Sequence, residues 1–351
     1  MKIEKNINLS EYTTIKLGGN AKYFVKCENT AELKMALQYA KQNSLQTFIL
    51  GGGSNIVFPD SGFNGLIIKT SGTEIKIISE SNESAEIFVS AGTEWDKFVE
   101  WSVESSFTGI ECLSGIPGCT GAVPIQNVGA YGQEVSSTIT KLHTIDKTSL
   151  EEKLFNNAEC NFDYRQSIFK GDLKDKFIIT GVEFELSKIK EVNFKYPDLK
   201  KEIEQSEDFK NISSRTGKLK YIRNKVIEIR KRKGMVVDDA DSDSISCGSF
   251  FTNPVISYED YKDRLKRFPE FRLINSFSAK GGIKLSAAKL IEVSGFGRGF
   301  EENGAGISTK HSLALINKGG SSNALINLAK KIQTAVYDKF DITIQIEPIV
   351  V

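Results

Sequence analysis

Ser114-Gly115-Ile116-Pro117-Gly118-Cys119-Thr120-Gly121-Ala122-Val123-Pro124-Ile125-Gln126-Asn127-Val128-Gly129-Ala130-Tyr131-Gly132 carries five glycines and two prolines in nineteen positions, which excludes a continuous helix or a central strand. The remaining residues are mostly apolar and small, whereas a bland connecting loop of this length is polar. The stretch therefore reads as a folded surface that presents its backbone to a ligand. A second glycine loop, Leu50-Gly51-Gly52-Gly53-Ser54-Asn55, follows an apolar run. Without Cβ atoms its N–H groups can approach an anion closely, and a pyrophosphate is one fitting guest. It lacks the Lys-Ser/Thr of a P-loop and does not match G-x-G-x-x-G. Alone it is equally an ordinary tight turn.

The surrounding pattern alternates α and β. Asn29 with Glu32 forms a capping-box-like start, and Leu33, Ala36, Leu37 and Ala40 recur at helical spacing. Residues 46–50 read as a short buried strand and 56–58 as another apolar run, so the glycines of 51–53 make a strand-to-strand turn. Residues 85–91 form a further strand, and Trp95, Phe98, Val99 and Val103 return to helical period. Two closing strands are expected at 177–179 and 182–186. A Lys/Glu-rich region with weaker apolar periodicity covers 187–232, and the domain boundary is placed within it. Beyond it the pattern predicts a helix over 285–293, a strand over 311–317, a long helix through Leu325, Leu328, Ala329, Ile332 and Val336, and a terminal strand over 342–351.

The totals exclude several function classes. Forty-six Lys and Arg against 45 Asp and Glu give a net charge of +1, so no global field recruits nucleic acid or a membrane surface. Hydrophobic residues at 40% against 26% charged describe a globular chain of two or three domains. Polar Lys2, Glu4, Lys5 and Asn6 near Met1 give no signal peptide, and no apolar run is long enough to span a bilayer, so a cytoplasmic address is expected. Five scattered cysteines read as reduced, mostly buried thiols, and two isolated histidines offer no metal-ligand set.

The longer glycine stretch, read as G-I-P-G-x-x-G-A-x-P-I-Q-N-V-G-A-Y-G, resembles the flavin-binding signature of the UDP-N-acetylenolpyruvoylglucosamine reductases. Four further matches follow in the family's order: residues 50–55, Tyr164-Arg165-x-Ser167-Ile168-Phe169-Lys170, Gly248-Ser249-Phe250-Phe251-x-Asn253-Pro254, and Glu347 near the end. The resemblance implies an α+β chain with a vanillyl-alcohol-oxidase-like FAD-binding domain of two subdomains and a C-terminal α+β substrate-binding domain. The first subdomain is expected at 1–70, joined by the terminal strand 341–351, the second at 71–190, and the linker and substrate domain at 191–340. By the same resemblance, FAD is held by Gly51, Gly52, Gly53, Ser54 and Asn55 and by Ser114, Gly115, Pro117, Gly118, Thr120, Gly121, Ile125, Gln126 and Asn127. Tyr131, Tyr164, Tyr196, Lys233 and Asn253 are implied to serve the substrate. Tyr196, in Phe194-Lys195-Tyr196-Pro197-Asp198-Leu199, is similar to the tyrosine that the longer subclass folds over its substrate.

The implied reaction passes hydride from NADPH through FAD to the enolpyruvyl group of UDP-N-acetylglucosamine enolpyruvate, a small-molecule partner, in peptidoglycan precursor synthesis; a monomer is expected. An enolpyruvyl ether has an electron-poor C=C conjugated to a carboxylate, so hydride addition builds enolate charge. The planar cationic fork of Arg165 matches that carboxylate, and Glu347 is implied to hydrogen-bond the developing oxyanion. Ser249 is implied to protonate the carbanionic carbon.

Each residue also has a duller reading. Arg165 fits a structural ion pair, Ser249 a turn, Tyr131 and Tyr196 half-buried core aromatics, Lys233 a solvated basic face, and His311 a satisfied structural histidine. Two departures from the family stand out. Gln166 replaces an acidic residue after Arg165, and aligning the Glu-Pro pair would place Ile349, not Glu347, at the acid position. The ungapped count from Phe340 favours Glu347. Competing functions are an FAD-dependent alcohol or sugar oxidase on the same fold and a non-redox sugar-nucleotide binding protein.

Overall fold

The computed structural model describes residues 1–192, 194 and 196–351; Lys195 of the tyrosine segment lies outside them. The chain divides into two compact units. The first comprises Met1–Ile7, Ala21–Gly52 and Asn64–Lys231, and the second Asn8–Asn20, Gly53–Phe63 and Arg232–Val351.

In the first unit the helix Thr30–Gln42 starts where its caps dictate. Asn29 Oδ1 accepts the Glu32 N–H at 3.0 Å, and Glu32 reaches back to the Glu28 N–H at 2.8 Å. Its stripe of Leu33, Ala36, Leu37 and Ala40 packs with Val25, Leu66 and Ile68. Those three come from a sheet ordered Ile3–Asn8, Asn20–Cys27, Phe63–Thr70, Thr47–Leu50, in which the last two strands run parallel. A second sheet is antiparallel throughout, in the order Glu152–Asn156, Ile139–Asp146, Phe177–Ser187, Ser84–Ser90, Ile75–Glu80. The helix Trp95–Glu104 lays Trp95, Phe98 and Val99 on it, with Phe98 and Phe184 ring centroids 5.0 Å apart. Each such buried aromatic contributes roughly 1.5–3 kcal/mol.

Two expectations change here. Phe177–Ser187 is one strand of 11 residues, not two. Gly181 lies within it and makes room for a ring, since a Cβ there would lie 2.4 Å from Phe88 Cε2. The Lys/Glu-rich region holds the helices Pro197–Glu204, Glu207–Asn211 and Arg215–Arg232. Residues 191–231, grouped with the C-terminal domain on the sequence, belong to the first unit, where Leu199, Ile203, Ile222, Val226 and Ile229 bury against Cys112 and Tyr131. Charge on the outer faces of these helices dilutes the periodicity that the buried residues carry.

The second unit is built on a sheet ordered Ser246–Ser249, Ala314–Asn317, Ala305–Ile307, Glu301–Glu302 and a smaller one ordered Val255–Ile256, Gly282–Leu285, Ser276–Ala279. The helices Ala287–Val293 and Ser322–Phe340 pack Leu290, Ile291, Leu325, Leu328, Ile332 and Val336 into one core with Phe250, Phe251 and Leu315. The terminal strand is shorter than expected. Only Ile349–Val350 is regular, pairing in parallel with Ile56–Val57, while Ile346 bridges Phe251. Buried Ile342 and Ile344 give 342–346 its strand-like alternation without a continuous ladder.

One buried ion pair organises the first unit. Arg223 donates both terminal nitrogens to Asp96, at 2.6 and 2.8 Å, and Asp96 Oδ1 also accepts the Gly115 N–H at 2.5 Å. Burial raises the Asp96 pKa, but the hydrogen bonds from Arg223 and Gly115, with the charges of Arg223 and Arg230, hold it below the ordinary value. A depressed folded-state pKa stabilises the fold above the unfolded pKa, and that stabilisation disappears as pH falls through the folded value. Asp96→Ala is expected to cost about 1–3 kcal/mol at pH 7, because Arg223 loses its two-pronged partner and keeps only Glu100, at 3.5 Å. Urea denaturation should show the gap to wild type narrowing in acid; a gap that is constant with pH would refute this account.

Candidate active site

The two glycine loops meet backbone to backbone inside the first unit. A Cβ on Gly52 would lie 2.5 Å from Gly118 Cα, and one on Gly51 would lie 3.7 Å from the Cβ atoms of Ala122 and Cys119. Local hydrogen bonds set the second loop: Trp95 N–H to Gly118 O at 3.0 Å, Thr120 N–H to Thr93 O at 2.8 Å and Gly121 N–H to Ala91 O at 2.9 Å. Thr120 is buried, and its hydroxyl also donates to Thr93 O. Ser114 donates its hydroxyl to Glu111 O at 2.7 Å, and Ile125 O accepts Ser167 Oγ at 2.6 Å. Pro117 and Gln126 are half-buried.

Asn127 is the anchor of this loop. It is almost fully buried, with φ of 46°. Its amide donates to Glu134 Oε2 at 3.0 Å and Asp163 O at 3.1 Å, and its Oδ1 accepts the Ser136 N–H at 3.1 Å. The side chain is thus spent on holding the loop. Its carbonyl accepts Arg165 Nη1 at 3.5 Å, while Arg165 Nη2 donates to Gly129 O at 2.9 Å. Arg165 itself has φ of 51°, at the tip of a turn closed by reciprocal bonds between Asp163 and Gln166 backbones. Gln166 is exposed, and the carbonyls of Asn127 and Gly129 hold the guanidinium. Tyr164 lies under it, its ring centroid 5.4 Å from Arg165 Cζ. Tyr131, with φ of 49°, meets Tyr196 edge to face at 5.3 Å. Burial raises the Tyr196 phenol above its ordinary pKa, with the Asp198 charge adding to the effect.

The second unit brings together another set. Ser249 ends the strand Ser246–Ser249, whose pairing with Ala314–Asn317 is interrupted by a bulge at Gly248, φ of 70°. Phe250 N–H donates to Leu313 O, and Phe250 O accepts the Glu347 N–H at 2.9 Å. Glu347 is therefore tied to the residue that follows Ser249. Asn55 Nδ2 donates to Glu347 O at 3.4 Å, and the Ile349 N–H to Asn55 O at 2.9 Å. Ile349 itself is exposed and paired to Ile56. Gly53 turns with φ of 67° where a Cβ would lie 1.8 Å from Tyr12 O, and Ser54 beside it is half-buried. Asn253 Oδ1 caps the helix Ala287–Val293 through the Ala287 N–H at 2.9 Å.

Sequence reasoning passed over one feature. Asp96 and Arg223 are paired across 127 residues, with no local signal, and Asp96 holds Gly115. His311, read from the sequence as a satisfied structural histidine, is hydrogen-bonded in the structure. Burial, with the charges of Lys233 and Arg298 outweighing that of Glu292, lowers its pKa to about 4. Its Nδ1 accepts the Leu313 N–H at 3.0 Å, so the neutral ring carries its proton on Nε2. Lys233 is half-buried, and its charge contributes to the lowering at His311.

Residues 240–351 match the family model of the UDP-N-acetylenolpyruvoylglucosamine reductase C-terminal domain, and residues 21–150 match that of an FAD binding domain. A UDP-N-acetylenolpyruvoylglucosamine reductase of Thermobifida fusca is 38% identical over 99% of this chain and 97% of its own length. The chain belongs to the UDP-N-acetylenolpyruvoylglucosamine reductase family. The reductase of Flavobacterium johnsoniae is 36% identical, covering 99% of both chains. The crystal structure of the Thermus caldophilus reductase superposes with a TM-score of 0.68 at 21% identity, covering 100% of this chain and 99% of that one, which shows the shared fold. The FAD-binding and C-terminal domains expected from the sequence are those found.

The reductase family's cofactor suits these loops. Among the described residues, the N–H groups of Gly51, Gly52, Gly53, Gly118 and Cys119 have no acceptor, and donors left open in this way suit a diphosphate. Among the described residues no helix is long and apolar enough to cross a membrane, and no group of three or more His, Cys, Asp or Glu is placed to hold a metal ion.

Asn127→Asp tests the anchor. It replaces two N–H donors with an acceptor facing Glu134 and the Asp163 carbonyl, at an expected cost of roughly 1–3 kcal/mol or more. Thermal unfolding should fall by several degrees and turnover should drop with it as Arg165 loses its seat; an unchanged melting curve would show that the side chain is not the anchor.

Proposed function

We propose that this flavoprotein reduces UDP-N-acetylglucosamine enolpyruvate to UDP-N-acetylmuramate with NADPH as reductant, and that Arg165, Ser249 and Glu347 act on the enolpyruvyl group. The backbone bond from Glu347 N–H to Phe250 O supports this reading, because it brings the main chain at Glu347 next to the residue that follows Ser249, whereas Ile349 lies in an exposed strand. When bound, FAD supplies the hydride that it receives from NADPH. Arg165, planar, permanently charged and steadied by two carbonyls, binds the substrate carboxylate and stabilises charge that grows on it. Ser249 delivers a proton to the carbanionic carbon. Serine is a poor acid in water, so the step depends on position and on the reactivity of a short-lived enolate. Glu347, in its protonated form, hydrogen-bonds the developing oxyanion.

The sugar nucleotide is held elsewhere on the chain. Lys233 pairs its charge with the diphosphate, and the Asn253 amide, which shares this role, is kept in place by its bond to the Ala287 N–H. Tyr196 and Tyr131 are substrate-binding residues of the first unit. A cytoplasmic monomer is the expected setting.

Ser249→Ala should lose about 10²-fold or more in substrate reduction, while NADPH still bleaches the flavin at the normal rate. Stopped-flow absorbance separates the two half-reactions, and equal losses in both would count against the role. Glu347→Gln should likewise cripple turnover without lowering the melting temperature; wild-type turnover in that variant would remove Glu347 from the mechanism.

A further inference from the structure

The glycine loops offer a diphosphate many N–H dipoles but no formal charge. Residues 50–55 and 114–132 contain no Lys or Arg, and the P-loop lysine is missing from both. A cation nevertheless lies beneath them. Lys69 is on the strand Phe63–Thr70, in register with Leu50, and its Nζ donates to Gly51 O at 2.7 Å. It is half-buried, and among the described residues no carboxylate lies within ion-pair distance. Burial lowers its pKa, Cys119 nearby acts the other way, and the Lys26 charge adds to the lowering. Cys119 supplies no counter-charge, because burial holds its own thiol above the ordinary range. Desolvating an ammonium group against a single carbonyl is unfavourable, and an anion is the partner that would offset it.

We infer that Lys69 is a cofactor-binding residue whose ammonium group neutralises the diphosphate of FAD where the loops at Gly51 and Gly118 meet. The inference rests on the reading that these two loops hold that diphosphate. Lys69 then does from a neighbouring strand what the P-loop lysine does from within its own loop. Its bond to Gly51 O keeps the ammonium group at the loop while leaving its other donors for phosphate oxygens.

The test is FAD affinity of protein stripped of flavin, followed by flavin fluorescence. Lys69→Met should raise the Kd roughly ten- to a hundredfold, the usual worth of a charge-assisted hydrogen bond, and make it less sensitive to salt. Lys69→Arg should recover most of the loss, and the three flavin-free proteins should melt together. A Kd for Lys69→Met within about twofold of wild type overturns the inference. So does an equal loss in Lys69→Arg with both variants melting early, which marks a packing role only. Gly52→Ala is the control for the loops, since its Cβ would collide with Gly118 Cα. An unchanged Kd in Gly52→Ala removes the loop reading and Lys69 with it; a weakened Gly52→Ala beside a normal Lys69→Met removes Lys69 alone.

Discussion

The first unit depends on two stretches of backbone lying closer together than side chains permit. Gly52 and Gly118 face each other with no room for a Cβ, so the strand end at Leu50 and the turn before Thr120 share one surface. Everything that shapes that surface serves this approach. Asp96 holds Gly115, Thr93 and Ala91 hold Thr120 and Gly121, and Lys69 holds Gly51. A backbone surface that can take a phosphate is made of N–H groups, and N–H groups are exposed to a ligand only where side chains have been removed.

Strain accumulates beside that surface. Asn127, Tyr131 and Arg165 all have positive φ, a region that asparagine tolerates and that tyrosine and arginine do not favour, at a cost of order 1–3 kcal/mol each. The surrounding bonds hold them there: Asn127 by three side-chain hydrogen bonds, Arg165 by a closed turn, and Tyr131 by burial against the helices Pro197–Glu204 and Arg215–Arg232. Asn127 and Tyr131 lie in the stretch that resembles the flavin signature and Arg165 is bonded to it, in keeping with the general tendency of strained residues to gather at working sites.

How legible each element was follows from where its information resides. The helix Thr30–Gln42 was readable because cap, stripe and length all lie within fourteen residues. The loops were readable as backbone surfaces because glycine and proline act locally. The helix Arg215–Arg232 was obscured, because its buried Leu219, Ile222, Val226 and Ile229 alternate with lysines and arginines on its outer faces, and buried Arg223 looks like one more surface charge until its partner is known. The strand Phe177–Ser187 was divided in two for a related reason: the ring from the neighbouring strand that fills the space beside Gly181 leaves no trace in local sequence.

From its residues alone, the chain determined its class, its two glycine-lined surfaces and the order of its motifs, since these depend on residue type and short spacing. Tertiary structure decided which unit residues 191–231 join, that backbone carbonyls steady Arg165, that Asp96 is paired with Arg223, that Glu347 is bonded next to Ser249, and that Lys69 underlies Gly51. Those outcomes depend on contacts between residues far apart in the chain. Neither their burial nor the loss of solvent screening that makes a buried charge seek a partner is written in local sequence.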